Sequence, residues 1–293
     1  KSKILPSRRN TLVKYGIETW DQYFDKRQLL VLCVFLEKIK KLCKNLDKKI
    51  QQPIATYLSF ILAKRVDMSG FGTHWNTGNA SPEPVLALRD PAIIPFFPEI
   101  NPFVNVRGSF FYLEKNVVEA VCFLENFNHH GKCEIGSVVN DAKEKFDIII
   151  TDPPYGDDIR YGEQSEFFYL WVYRVLKDFF PYLPDHSPLE EDFCVSTFRF
   201  GNKKRAEYFY KTGLKKSFSS MNNSLKDDGL LVVFFAHSST EAWNIFLESI
   251  RNGKFKVVSS YSIHTEMASS ILAMNKTSFM SSIVVTCRKI LEP

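Results

Sequence analysis

Apolar residues follow two patterns along this chain, one with the period of a helix and one nearly continuous. Leu29, Leu30, Cys33, Leu36, Ile39, Leu42 and Cys43 recur every three or four residues, which predicts an amphipathic helix. Asp25 and Gln28 in front of that stripe read as a capping box. A second helix is expected over residues 53–67, with Pro53 near its start. Others are expected over 114–126, 163–177 and 240–251. Leu214, Phe218, Met221 and Leu225 mark one more, ending at Asp227-Asp228-Gly229. Residues 230–237 are apolar without alternation, the mark of a buried parallel strand. Residues 146–151 form a second apolar strand, and 255–263 with 278–288 read as the antiparallel end of the same sheet. The fold class is α/β.

The intervals between these elements set expected boundaries: a helical segment at 1–68, an irregular region at 69–106, and a catalytic part at 107–293. The irregular region carries six prolines, at 82, 84, 91, 95, 98 and 102. Irregular runs of that length inside an enzyme are usually functional or mobile. His74 and Trp75 fall there as substrate-facing candidates, with a satisfied loop histidine as the competing reading. Glu99 and Asn101 are candidate pocket residues.

The strand at 146–151 runs directly into Asp152-Pro153-Pro154-Tyr155. Ligands of open α/β sheets gather at the carboxyl ends of strands. An exocyclic amino group on a base is a weak nucleophile, because its lone pair is delocalised into the ring. Acceptors set against its N–H bonds return electron density to nitrogen. Asp152 offers a carboxylate for this and Pro153 a carbonyl. Pro154 stiffens the turn, since consecutive prolines fix φ and restrict their neighbours. Tyr155 is expected to stack on the base.

The tetrapeptide leads into Tyr161, Ser165, Glu166, Phe167, Phe168, Tyr169 and Trp171. That succession resembles the adenine-specific DNA methylases of the DUF1156 type. Landmarks at 26–39, 98–103, 225–243, 264–266 and 281–288 fit in the same order, so the resemblance spans nearly the whole chain. It implies a Rossmann-like methyltransferase sheet and transfer of a methyl group from S-adenosylmethionine to the N6 amino group of adenine in DNA. The adenine would be flipped out of the duplex. It also implies cofactor contacts at Asp141 and Asp152, with a helix N-cap as the alternative role for Asp141. Expected substrate contacts are Arg160, Tyr161, Glu163, Ser165, Arg199, Lys203, Lys204 and His237, with a structural hydrogen bond as the alternative role for His237. The departure is equally informative. Such enzymes grip the cofactor with a glycine-rich loop after their first strand, and none of the 13 glycines clusters in that way. The chain also begins at Lys1. It is therefore expected to be the C-terminal portion of an enzyme whose first strands and cofactor loop lie on a missing N-terminal half.

Composition narrows the field further. Hydrophobic content is 45% and charged content 24%, as in ordinary globular proteins, and no apolar run is long enough to span a membrane. Six cysteines without CxxC spacing read as buried, reduced thiols of a cytoplasmic protein, with no metal site. The net charge of +5 suits a nucleic-acid partner. Its basic residues concentrate at 38–49, read as a solvated helix face, and at 199–216, where they interleave with aromatics. Two alternatives stay open. Asp-Pro-Pro-Tyr-Gly also resembles tRNA guanine-N2 methyltransferases, and without a cofactor loop the chain is alternatively a silent nucleic-acid- or partner-binding fragment.

Overall fold

Asp25 opens the first helix, α1 (Lys26–Lys44), through the expected capping box: it accepts from the Arg27 N–H while Gln28 accepts from its own. Helix α2 (Lys48–Asp67) starts a turn earlier than predicted, because Asp47 caps it, and it carries Pro53 inside. The computed structural model describes residues 12–87, 91–127, 131–156, 161–237, 239–264 and 281–291. The irregular region is not wholly irregular: strands β1 (His74–Asn76) and β2 (Ser81–Glu83) pair there as an antiparallel hairpin. Helices α3 (Phe110–Leu124) and α4 (Tyr161–Leu176) complete this helical set. Leu32, Ile39, Leu62, Val66, Phe167 and Trp171 are buried in one core, so the aromatic stripe of α4 is core as expected.

A second set of elements forms a sheet: β3 (Phe146–Thr151), α5 (Thr197–Phe200), α6 (Lys203–Ser224), β4 (Leu225–Phe235), α7 (Thr240–Asn252), β5 (Phe255–His264) and β6 (Ser281–Lys289). Its strand order is β3-β4-β6-β5. β3 and β4 are parallel, and β6 runs antiparallel to both of its neighbours. This is a mixed four-stranded α/β sheet compatible with a Rossmann-like fold. Leu231, Val233 and Phe235 of β4 are buried with Phe218 of α6 and Phe246 of α7. Leu230, Val232 and Phe234 between them are only half-buried. The strand expected to be buried throughout is therefore fully buried on one face alone. It also starts earlier than predicted. Leu225–Asp228 join β4 instead of ending a helix, with Leu225 in register with Phe146 and Lys226 paired to Asp147 at 2.7 Å.

The chain divides into two units, Lys1–Lys132 with Tyr161–Glu190 and Cys133–Arg160 with Glu191–Pro293. The boundaries expected at 68 and 106 are not the ones found. Helix α3 packs on α2, and α4 leaves the sheet unit to pack on α1 and α2, so sequence neighbours separate. No helix among the described residues is long and apolar enough to cross a membrane.

β3 lies at one edge of the sheet and pairs, among the described residues, only with β4. Its alternate residues Ile148 and Ile150 are 58% and 67% exposed. A strand this apolar normally lies inside a sheet, and exposed apolar edges are templates for further pairing.

Candidate active site

β3 delivers Asp152-Pro153-Pro154-Tyr155 to the carboxyl end of the parallel pair. Asp152 is exposed there, and the Tyr155 hydroxyl donates to its Oδ1 at 2.6 Å. The Tyr155 ring stands edge-on to Phe235 at 5.4 Å and packs against the sheet core. Tyr155 is half-buried, with its ring anchored on β4 and its hydroxyl on the Asp152 carboxylate.

The rest of the turn is clamped from behind. Tyr210 of α6 is buried, and its hydroxyl donates to the Pro154 carbonyl at 2.7 Å. Burial lifts this phenol far above its ordinary pKa, so it remains a donor throughout the neutral range. Gly156 follows at φ +87°, a left-handed conformation suited to glycine. Its carbonyl accepts from the Val195 N–H at 3.0 Å. Among the described residues the Pro153 carbonyl has no hydrogen-bond partner. The turn thus retains one exposed carboxylate and one uncommitted carbonyl, on a backbone with little freedom left.

Sequence reasoning missed Tyr210. Its signal was the position four residues before Leu214 and eight before Phe218. A tyrosine in an apolar stripe buries its ring and needs a partner for its hydroxyl.

His237 lies just past the carboxyl end of β4, where its Nδ1 accepts from the Ser239 N–H at 2.9 Å and its carbonyl accepts from Trp243 Nε1 at 3.0 Å. Arg199 is mostly buried and donates to Asp192 at 3.0 Å and to the Cys194 sulfur. Its charge is engaged by Asp192 within the sheet unit. Lys203 pairs with Glu207 at 3.1 Å, one turn along α6. Lys204, Arg205 and Tyr208 stay exposed at the start of that helix.

Asp141 precedes β3 and accepts twice from Asn223 Nδ2 at the end of α6, at 3.1 and 3.3 Å. It caps no helix. It also lies at the amino end of β3, with the six-residue strand between it and Asp152, so the structure does not bring these two together. Tyr161, Glu163 and Ser165 belong to α4 of the helical unit, and the Ser165 hydroxyl donates to the Gly162 carbonyl at 2.9 Å. Arg160 lies outside the described residues, as does most of the landmark at 264–266. In the irregular region Glu99 pairs with Arg27 and Asn101 accepts from the Phe103 N–H, both structural contacts.

No known protein family, curated protein or solved structure matches this chain.

The thiols differ from expectation too. Cys43, Cys194 and Cys287 are buried, but Cys33, Cys122 and Cys133 are exposed. Burial pushes the Cys287 thiol up to about 11.

Proposed function

We propose that this chain carries the base-activating half of an S-adenosylmethionine-dependent methyltransferase acting on the N6 amino group of adenine in DNA. One observation carries the reading: an exposed Asp152 carboxylate beside an uncommitted Pro153 carbonyl, on a clamped turn at the carboxyl end of a parallel strand. Asp152 accepts one N–H of the target amine and Pro153 accepts the other. Both bonds draw density onto nitrogen as it becomes tetrahedral, and a turn that need not reorganise keeps the acceptors in place. The Tyr155 hydroxyl holds the carboxylate in line. S-adenosylmethionine, when bound, supplies the electrophilic methyl group.

The described residues do not themselves form a cradle for that cofactor. No glycine-rich turn joins a strand of the sheet to a helix, and Asp141 is at the opposite end of β3. The edge position of β3 among the described residues supports a reading in which a further strand pairs there and brings the cofactor-binding loop beside Asp152. Lys203, Lys204, Arg205 and Tyr208 at the start of α6 are the groups suited to a nucleic-acid backbone.

The test is mass spectrometry of DNA incubated with S-adenosylmethionine and the intact protein that contains this chain together with its cofactor loop, carrying either Asp152 or Asp152→Asn. N6-methyladenine that falls about 100-fold or more in the variant supports the proposal. Methylguanine in RNA, with unmethylated DNA, selects the tRNA-type reading. Cofactor and DNA binding without transfer would leave the silent-fragment reading standing.

A further inference from the structure

Helix α6 has two opposed faces, and only the inner one serves the catalytic turn. The inner face holds Ala206, Tyr210, Leu214, Phe218 and Met221, all buried. On the outer face Lys204, Tyr208, Lys211 and Lys215 follow at intervals of four, three and four residues, the spacing that aligns side chains in one row. Arg205 and Lys216 flank that row. Over its 22 residues the helix carries six basic side chains against a single acid, Glu207. Glu207 is taken by Lys203 at 3.1 Å, and Lys211 is taken by Glu248 of α7 at 2.6 Å. Lys204, Arg205, Lys215 and Lys216 are exposed, and no ion pair engages them among the described residues. Tyr208 stands within the row, 73% exposed, with no ring contact or hydroxyl partner among the described residues.

A solvated helix face usually mixes signs, because opposite charges one turn apart stabilise a helix and like charges weaken it. This face is of one sign, and it sets a bare aromatic ring among its cations. We infer that the outer face of α6 is a binding surface for single-stranded nucleic acid. Its four uncommitted cations spread over residues 204–216, about 18 Å of helix, and phosphates neutralise them. A duplex offers the same phosphates but keeps its bases stacked on one another. Only an unpaired base turns its flat face to Tyr208. An acidic peptide would meet the cations and leave the ring unused. The surface is distinct from the catalytic turn. Tyr210 reaches the Pro154 carbonyl from the inner face, and Tyr208, two residues earlier, points about 160° away around a helix about 10 Å wide. The nucleotides held there are therefore not the one at Asp152. The inference extends the nucleic-acid partner of the proposed function, but binding at this face requires neither S-adenosylmethionine nor methyl transfer.

The test is fluorescence anisotropy of labelled oligo-dT, about 12 nucleotides long, with the intact protein that contains this chain and no S-adenosylmethionine. Saturable binding is expected, with affinity falling as salt rises at a log–log slope of about −3, the value for four neutralised phosphates. Lys204→Gln combined with Lys215→Gln should make that slope shallower by about 1.4. Tyr208→Ala should weaken binding about tenfold, whereas Tyr208→Phe, which keeps the ring, should bind like wild type. A hairpin duplex should bind about tenfold more weakly than the single strand. Oligo-U in place of oligo-dT separates the two sources of a single strand, the tighter of the two identifying RNA or DNA. The inference is overturned if the duplex binds as tightly as the single strand, if inorganic polyphosphate of equal charge competes as well as oligo-dT, or if the substitutions at 204, 215 and 208 bind like wild type. Binding with these dependences in a protein that transfers no methyl group would uphold this surface while removing the proposed function.

Discussion

Two proline-rich turns in this protein are held by the same device and end up with opposite properties. In the helical unit the buried Tyr23 hydroxyl donates to the Ala92 carbonyl at 2.7 Å. In the sheet unit the buried Tyr210 hydroxyl donates to the Pro154 carbonyl at 2.7 Å. Around Ala92 the surroundings consume nearly everything polar. Arg65 is buried and donates to the carbonyls of Ile100 at 2.9 Å and Gly108 at 3.0 Å. Arg27 takes both oxygens of Glu99, at 2.6 and 3.1 Å. Gly72 leaves room for the tyrosine, since a Cβ there would lie 2.0 Å from its hydroxyl oxygen. Around Pro154 the clamps take one oxygen of Asp152 and leave, among the described residues, its other oxygen and the carbonyl of the buried Pro153 without a donor. The same phenol–carbonyl bond makes a strut where most neighbouring groups are paired, Arg65 Nε excepted, and a platform where acceptors are left over.

The largest effect expected from breaking this contrast is at Arg65. Arg65→Ala leaves two carbonyls without their donor and opens a cavity. It should cost the helical unit about 3 kcal/mol, measured by urea unfolding with mass-resolved proteolysis to follow each unit. An unchanged midpoint would mean that Arg65 does not brace the irregular region.

Removing each tyrosine hydroxyl sharpens the comparison. Tyr23→Phe and Tyr210→Phe should each lose about 1–2 kcal/mol, the cost of one buried hydrogen bond with its carbonyl left behind. Only Tyr210→Phe should also lower methyl transfer, through kcat more than KM, because it loosens the turn that aims Asp152. Equal kinetic effects from both variants would end the distinction.

Alkaline pH should weaken both units more gently. Burial raises both tyrosines well above the ordinary 10.0. Above pH 10 the unfolded phenols lose protons that the folded ones keep, so the stability they contribute is complete below pH 10 and declines as pH rises. Resistance to proteolysis should therefore fall as pH climbs past 10, and Tyr23→Phe and Tyr210→Phe should each flatten that fall in its own unit.

The smallest effect is on thiol reactivity. Cys33, Cys122 and Cys133 should react quickly with Ellman's reagent in the native chain. Cys43, Cys194 and Cys287 should react only on unfolding, since burial raises Cys43 and Cys287 away from the reactive thiolate. More than three fast thiols would show that one of the two cores breathes.

What the sequence by itself determined is local. The Asp25–Gln28 capping box and the apolar stripe behind it, the strand running into Asp152-Pro153-Pro154-Tyr155, and the antiparallel end of the sheet are legible because capping, periodicity and proline chemistry act over a few residues. Misread boundaries, such as Leu225–Asp228, arose where strand pairing and the Lys226–Asp147 bond overrode a helical pattern. Only the tertiary structure decided that β3 sits at an edge, that α4 belongs with α1 and α2, that Arg199 is spent on Asp192, and that Tyr210 clamps a carbonyl 56 residues away. Each of those depends on what lies opposite a side chain in space. A local pattern specifies which groups need partners, and packing alone selects the partners they find.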